Sequence, residues 1–387
     1  MPSRIVVVST LGITQTLSWA STYYLAAVFA DPVSTSLHLG RDWFFGAFSA
    51  ALLLSGLLGP LAGRWIDRYG GRDVLAATNL VFALGLVLLS QTHGAVGLLV
   101  AWLVIGAGMG FGLYEAAFAT VTGLYGLDAR NAITGITLFA GFASTIGWPT
   151  SAYFIHALGW RGACLAWAAL HLVVGLTLNR LLVPKAQGTV LLKTHAAATS
   201  AGGIPWTMIV LAGVFGATWF VTTALAAHLP RLLEALGATP AEAIAAGACI
   251  GPAQVTARLV EFTLLRKASP LISARIATAL HPIGVALLVG LGASTAIPFA
   301  LLHGAGQGLL TIARGTLPLT LFGPAGYGLR TGILAARARI LQGVAPLLFG
   351  LVLDDAGPRY ALALSSGLMV VSLLALLMLR STQPMSR

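Results

Sequence analysis

Charged residues are scarce in this sequence: they make up 9% of its 387 residues, whereas 57% are hydrophobic. A soluble domain carries about 25% charged residues. So few charges cannot cover a water-facing surface of this size, which excludes an ordinary soluble protein. In lipid, only helices or a closed β-barrel satisfy the backbone. Continuous apolar runs of about 20 residues favour helices over the alternating strands of a barrel.

Cysteine and the usual catalytic motifs are also scarce or missing. Cys164 and Cys249 lie far apart inside apolar runs, so they predict small buried side chains rather than a disulfide or metal site. The sequence contains no HExxH, GxSxG or DxD motif. We therefore predict neither an enzyme nor a metal or cofactor site. Five scattered histidines are expected to serve packing or the membrane interface, with a proton relay as the alternative for any one of them: His156, His171, His228, His281 and His303.

Long apolar runs fill most of the chain, and each is long enough to cross a hydrocarbon layer of about 30 Å as a helix. The run that begins at Ile5 is too long for a typical signal peptide and is interpreted as a retained first helix. The prediction is an all-α membrane protein with twelve transmembrane helices. The spans lie near residues 5–30, 42–63, 73–92, 96–122, 131–157, 161–183, 205–229, 241–264, 271–293, 296–322, 329–353 and 359–380.

Basic residues stand at the ends of these runs, mainly in alternate connections. The positive-inside rule places the basic connections, with both termini, in the cytoplasm and predicts a multi-pass protein of the inner cell membrane. This placement explains the formal net charge of +11 without nucleic acid as a partner. The basic connections contain Arg64, Arg68, Arg72, Arg130, Lys185, Lys193, Arg266, Lys267 and Arg330.

The two halves of the chain repeat one pattern. GAGMG at 106–110 matches GAGQG at 304–308, and GWR at 159–161 matches GPR at 357–359 with the same sequence separation. Without a preceding strand the glycine runs do not predict a phosphate loop, and their spacing favours close helix packing. We predict pseudo-symmetric six-helix bundles at 1–183 and 205–387, joined by a cytoplasmic linker at 184–204, with the substrate site near mid-membrane between them.

The connection after the second span is compact and basic. Its pattern, G-x-x-x-G-R-x-x-D-R-x-G-x-R from Gly59 to Arg72, closely resembles the signature loop of the major facilitator superfamily. One interpretation is topology anchoring alone. The other is a gate, in which Asp67 caps a neighbouring helix and pairs with arginine in one of two packed states. The predicted gating residues are Gly63, Arg64, Asp67, Arg68 and Arg72.

Charged residues inside the spans are costly and mark candidate functional positions. Glu115 lies midway along the fourth span, Arg314 near the matching place in the tenth, and Arg258 in the eighth. Structural ion pairing or snorkelling is the alternative for each, and for Glu261, Arg337 and Arg339 nearer the span ends. Arginine in a low-dielectric cavity favours an anion. Glu115 is either a proton carrier or a counter-ion. Polar and aromatic residues expected to line the cavity include Trp19, Tyr23 and Trp219.

Two local patterns look most like the monocarboxylate and oxalate/formate transporter branch of the superfamily. The first is RNAITG at 130–135, followed by Gly141 and Gly147. The second is Gln254-x-x-x-Arg258, similar to a D-x-x-x-R pattern whose arginine binds the substrate carboxylate; here glutamine replaces the aspartate. The resemblance implies a monomeric secondary transporter that works by alternating access on a small organic anion, as a symporter or antiporter, with a proton as candidate coupling ion. An efflux carrier for a drug, metalloid or oxyanion is the alternative.

Overall fold

A computed structural model describes residues 2–185, 205–265 and 268–379 of the chain. These residues are helical apart from turns and short connections. The predicted linker 184–204, except for its first two positions, falls outside the described residues. Lys193, Arg266 and Lys267 also lie outside them.

The chain divides into two compact units. The first unit comprises Met1–Ser200 and Phe322–Ala336, and the second comprises Ala201–Leu321 and Arg337–Arg387. Among the described residues up to 185 the helices are α1 (Arg4–Ala20), α2 (Leu25–Leu37), α3 (Arg41–Tyr69), α4 (Gly71–Ser90), α5 (Ala95–Gly112), α6 (Tyr114–Tyr125), α7 (Ala129–Ala140), α8 (Ala143–Leu170) and α9 (Thr177–Leu182), with a π-helical turn at His171–Leu176.

From residue 205 onward the helices are longer and less broken. They are α10 (Trp206–Ala235), α11 (Pro240–Thr263), α12 (Pro270–Leu291), α13 (Ala296–Phe322), α14 (Tyr327–Asp355) and α15 (Pro358–Met378). The beginning of α14, up to Ala336, belongs to the first unit, and the rest of that helix belongs to the second.

Three predicted spans of the N-terminal half are each interrupted by a break. The span 5–30 breaks between α1 and α2, where the Thr22 hydroxyl donates to the Ser18 carbonyl at 2.6 Å. Such back-bonding competes with the regular helix and often bends it. The span 96–122 breaks at Leu113, whose backbone is extended after a glycine-rich run that weakens helix propensity. The span 131–157 breaks between α7 and α8, next to Gly141.

The predicted boundary before the sixth span falls on a bend. Gly159 has φ +70° and ψ 167°, which interrupts the helical geometry within α8. A positive φ of this kind strains residues that carry a Cβ, so glycine suits the position. The fifth and sixth predicted spans are therefore joined by a sharp bend at one residue rather than by a long loop.

Nine stretches of the described residues are long and apolar enough to cross a membrane. One of them, Ala95–Leu182, is 88 residues long and contains the breaks at Leu113 and Gly141 and the bend at Gly159. A single straight helix of that length would be about 130 Å long, far more than a bilayer requires. The all-helical membrane fold is therefore confirmed, whereas the count of twelve spans stays a prediction.

The repeated glycine runs perform the same packing in both halves. A Cβ on Gly106 or Gly110 of α5 would lie 2.5 and 3.0 Å from the Ala51 and Ser55 carbonyls of α3. A Cβ on Gly304 of α13 would lie 2.7 Å from the Ile250 carbonyl of α11. Since only glycine allows such close approach, the predicted close packing of small residues is confirmed for both runs.

Candidate functional site

Asp67, near the end of α3, caps the start of α14. Its two carboxylate oxygens accept hydrogen bonds from the backbone N–H groups of Gly328 and Leu329, each at 2.9 Å. These are first-turn amides, which have no acceptor within their own helix and which favour a negative charge. Asp67 is 7% exposed, so the contact is shielded from water.

Glycines bring the two backbones together beside this cap. Gly59 and Gly63 of α3 face Gly332 and Gly328 of α14, with a spacing of four residues on both helices. A Cβ on Gly328 would lie 2.6 Å from the Gly63 carbonyl oxygen, and one on Gly63 or Gly332 would overlap facing backbone atoms. Paired small residues at this spacing define a close helix crossing. The glycines of the signature loop therefore have a packing function.

The arginines of the loop have more exposed surroundings than Asp67. Arg64 is exposed, and Arg68 lies over the Tyr69 ring at 5.2 Å. Arg72 donates to Asp73 at 3.1 Å, and Arg180 donates to the same carboxylate. Asp73 was not among the predicted gating residues. Two exposed ion pairs of this kind add little stability, so these arginines suit a surface that changes its contacts.

The break in the fourth span exposes a carbonyl that α1 satisfies. Ala116 N–H bonds to the Leu113 carbonyl rather than to that of Gly112, which would be its acceptor in a regular helix. The Gln15 amide donates to the Gly112 carbonyl at 2.6 Å instead. Glu115 then lies in the first turn of α6, where the helix dipole favours a carboxylate.

Aromatic rings gather beside this break. The Trp19 ring centroid lies 5.4 Å from that of Tyr23 and 5.0 Å from that of Tyr114. Trp148 donates from its indole nitrogen to the Tyr24 carbonyl at 3.1 Å, next to the break between α1 and α2. The predicted residues Trp19 and Tyr23 thus belong to one cluster, together with Gln15 and Tyr114.

Two arginines of the second unit stack on one indole ring. The Arg314 guanidinium carbon lies 4.1 Å from the Trp219 ring centroid, and that of Arg339 lies 4.9 Å from the same centroid. Arg339 is 3% exposed and donates to the Gln342 amide oxygen at 3.2 Å. Cation–π contacts are stronger when they are desolvated. This geometry concentrates positive charge around Trp219 in the interior of the unit.

Arg258 is the third arginine of this region. It is 5% exposed, and its Nη2 lies 3.4 Å from both the Gln254 amide oxygen and the Thr311 hydroxyl. Thr311 and Arg314 are three residues apart on α13, so they share a helix face. Glu261, in the last turn of α11, accepts a hydrogen bond from the Ser273 hydroxyl at 2.6 Å.

A polar face of α13 connects these groups, and sequence reasoning missed most of it. His303, Gln307, Thr311 and Arg314 follow one another at intervals of four, four and three residues, which place them on one side of the helix. Gln254 donates to Gln307 at 2.9 Å across from α11. A search for polar residues at helical spacing would have found this face. The described residues contain no group of histidine, cysteine or acidic side chains that could hold a metal ion.

The sequence model of the Major Facilitator Superfamily matches residues 11–301. The chain belongs to this superfamily. Human monocarboxylate transporter 2 is 31% identical over 115 residues, which are 29% of this chain and 23% of that protein, so the match spans under a quarter of the relative. Two solved structures share the fold. The human organic anion transporter MFSD10 (TETRAN) has a TM-score of 0.75 and 16% identity, covering 97% of this chain and 100% of that chain. The E. coli fucose:proton symporter FucP has a TM-score of 0.74 and 17% identity, covering 97% and 98%.

Membership of the Major Facilitator Superfamily confirms three predictions at a coarse level. The suspected family is correct, the chain is a transporter rather than an enzyme, and it is a multi-pass membrane protein. The solved structures are too distant in sequence to show more than the fold. The assignment of individual site residues stays a prediction.

For a superfamily member, the Asp67 cap makes a specific prediction. Asp67→Asn keeps the shape of the side chain but removes the negative charge at the start of α14, and one of its two polar atoms becomes a donor facing an N–H group. We expect a folded protein with slower transport, since the lost charge weakens one packed state by about 1–3 kcal/mol. Initial rates in proteoliposomes measure this. Asp31→Asn, at the exposed Asp31–Arg41 ion pair outside this loop, is the matched control. Equal rates for wild type and Asp67→Asn would reject a gating function.

Proposed function

We propose that this protein is a secondary active transporter that moves a small organic anion across the inner cell membrane by alternating access. In this proposal the chain crosses the membrane twelve times, as six-helix halves at 1–183 and 205–387, and both termini are cytoplasmic. The protein acts as a monomer. The α3–α14 crossing with its Asp67 cap serves as a gate.

The observation that carries this proposal is the concentration of arginine in the second unit. Arg314 and Arg339 stack on one indole, and Arg258 of α11 contacts Thr311, which lies on the same polar face of α13 as Arg314. Guanidinium groups offer paired N–H donors that match a carboxylate, and a desolvated site strengthens this attraction. Trp219 supplies an apolar wall beside the charges. A small anion with an apolar body fits both features.

The relatives support the choice of substrate class. Human monocarboxylate transporter 2, whose name concerns carboxylates, is 31% identical to this chain over 115 residues. The second arginine pattern, Gln254-x-x-x-Arg258, points in the same direction. We assign carboxylate binding to Arg258 and Arg314, with Gln254 and Trp219 as neighbours. We also assign substrate or coupling functions to Trp19, Tyr23 and Glu115 of the first unit.

A thermal-shift screen tests the substrate class. The purified protein is heated with carboxylates such as L-lactate, with oxyanions such as phosphate, and with the cationic drug ethidium. A ligand that binds only the folded state stabilises it by about 2.7 kcal/mol at one hundred times its Kd. We expect L-lactate to raise the unfolding temperature and ethidium to leave it unchanged.

The same screen separates the alternative function. Stabilisation by ethidium with no response to any anion would favour a carrier for toxic cations and would contradict the proposal. Stabilisation by phosphate or arsenate alone would keep an anion site but change the substrate class to oxyanions.

A further inference from the structure

Two buried histidines of the second unit are in direct contact. Nδ1 of His281 on α12 lies 3.0 Å from Nδ1 of His303 on α13, and the residues are 1% and 3% exposed. Nε2 of His281 lies 3.1 Å from the Ser365 hydroxyl of α15, and Nε2 of His303 contacts the Gln307 amide nitrogen. These histidines are scattered in the sequence, but helical packing brings this pair together across 22 positions. Their expected packing function is not contradicted.

The pair is one part of a hydrogen-bonded chain with a donor at one end and an acceptor at the other. Arg258 can only donate, and it contacts the Gln254 amide oxygen at 3.4 Å. Gln254 then donates to Gln307 at 2.9 Å, and Gln307 directs its amide nitrogen to His303. At the far end, the Ser365 hydroxyl donates to the Leu362 carbonyl at 3.1 Å, so it must accept from His281.

These two ends fix the protonation of both rings. Because Gln307 donates to Nε2 of His303, that nitrogen carries no proton, and the proton of the ring sits on Nδ1. Nδ1 of His303 therefore donates to Nδ1 of His281, whose own proton sits on Nε2 and points to Ser365. Both rings are neutral, and every link of the chain points in the same direction, from Arg258 to Leu362.

The surroundings of the pair contain little charge. A cavity of about 10 Å³ adjoins the histidines, about the space that one water molecule needs, and the two histidines are the only titratable residues in its lining. The sequences of α12, α13 and α15 contain no aspartate or glutamate. No carboxylate on those three helices therefore competes for a proton at the pair.

Charged groups on the helices around the pair have partners of their own. Arg275 of α12 donates to the Leu376 and Leu379 carbonyls, and Arg314 of α13 lies over Trp219 together with Arg339 of α14. Glu261 of α11 accepts from Ser273. Several more are exposed or sit near helix ends: Arg231, Glu234, Glu242 and Arg359. His228 of α10 bonds to the Pro346 carbonyl at 2.8 Å.

We propose that the His281–His303 pair is the proton-binding site that couples proton uptake to anion binding at Arg258, through Gln307 and Gln254. The proposal rests on the proposed function, because it assigns an anionic substrate to Arg258. It adds a site, a direction of coupling and a relay of two amides.

The coupling follows from the polarity of the chain. Hydronium gives a proton to the lone pair on Nε2 of His303: one O–H bond breaks, one N–H bond forms, a neutral water molecule remains, and the ring becomes positively charged. Gln307 must then turn its oxygen toward this new donor and its NH₂ group toward Gln254. Gln254 turns in response, so that its NH₂ group faces Arg258. The Gln254 NH₂ group and the Arg258 guanidinium are both donors, so the hydrogen bond between them is lost. The N–H group released on Arg258 can then donate to a substrate carboxylate.

Thermodynamic linkage makes this coupling measurable from either side. The Kd for L-lactate is measured by calorimetry on detergent-purified protein from about pH 5 to about pH 8, the range in which histidine titrates. Affinity should rise as the pH falls, with a limiting slope of about tenfold per pH unit for one proton. His303→Gln removes the proton acceptor, and Gln307→Met cuts the relay while both histidines remain. Both variants should bind L-lactate with an affinity that does not depend on pH.

His228→Gln is the matched control, since it removes a histidine of the same unit that lies outside the chain, and it should keep the wild-type slope. Unfolding temperatures without ligand show whether each variant is folded. A slope that survives in both His303→Gln and Gln307→Met would overturn the coupling, as would a pH-independent wild type, while anion binding itself would still stand. Absence of L-lactate binding at every pH would contradict the proposed function and the coupling together.

Discussion

Replacing Arg258 or Arg314 with alanine should lower the affinity for L-lactate by about 10- to 100-fold, the effect of losing a hydrogen bond between charged groups. Arg258 of α11 is 5% exposed and lies 3.4 Å from Thr311 on the polar face of α13. Arg314 stacks on Trp219 three residues beyond Thr311. Each change removes a positive charge from a region where charge is poorly screened. Calorimetric titration of each purified variant measures the loss.

Arg231→Ala is the control for these variants. Arg231 belongs to the same unit, its side chain is 58% exposed, and it pairs with Asp354 at the surface. Replacing it should change the binding free energy for L-lactate by less than about 1 kcal/mol, the stabilisation that a surface ion pair typically contributes. If all three arginine variants bound L-lactate equally well, the arginine cluster would not be the anion site.

Replacing Gly63 or Gly332 with alanine should reduce transport at least about tenfold, because the new methyl group meets backbone atoms that cannot rotate away. Gly63 faces the backbone of Gly328 and Leu329, and Gly332 faces that of Gly59 and Pro60. Overpacking of this kind costs about 1–3 kcal/mol or more. The crossing of α3 and α14 must then separate, and the Asp67 cap is lost with it. Initial uptake rates and unfolding temperatures measure both consequences.

Gly46→Ala provides the matched control on the same helix. A Cβ at Gly46 has no neighbour within 4 Å, so the substitution adds a better helix former without a clash. Transport should stay at the wild-type rate. Wild-type transport by Gly63→Ala and Gly332→Ala as well would show that this close crossing is not part of the transport cycle.

Local patterns in the sequence were sufficient to predict the fold class. For the long-range contacts they indicated one of the two residues but not its partner. Composition and run length predicted a helical membrane protein, and the glycine spacing predicted close packing in both halves. Asp67 stood out as a helix cap, but the amides that it binds lie 261 and 262 residues away, and no local pattern indicates α14 as the partner. The partner of Gln15 was equally unpredictable, because the Gly112 carbonyl is available as an acceptor only where the helix breaks at Leu113.

The histidine pair was missed for a different physical reason. Metal sites have recognisable ligand spacings, and His281 and His303 have none. Their contact depends on how α12 packs beside α13, which the sequence does not state. The face formed by His303, Gln307, Thr311 and Arg314 was visible at helical spacing, however, and would have linked the histidine to the predicted arginine. Breaks within the first, fourth and fifth spans were also beyond prediction, because glycine, serine and threonine bend helices only in some packing environments.

Counterflow of radiolabelled L-lactate in proteoliposomes tests the central claim most directly. Vesicles that contain the purified protein and a high internal concentration of unlabelled L-lactate are diluted into a trace of labelled L-lactate. Transient accumulation of label by wild type, its loss in Arg258→Ala and its retention in Arg231→Ala are the predicted results. Accumulation in Arg258→Ala equal to that of wild type, or no accumulation by wild type, would contradict an anion transporter built around this arginine.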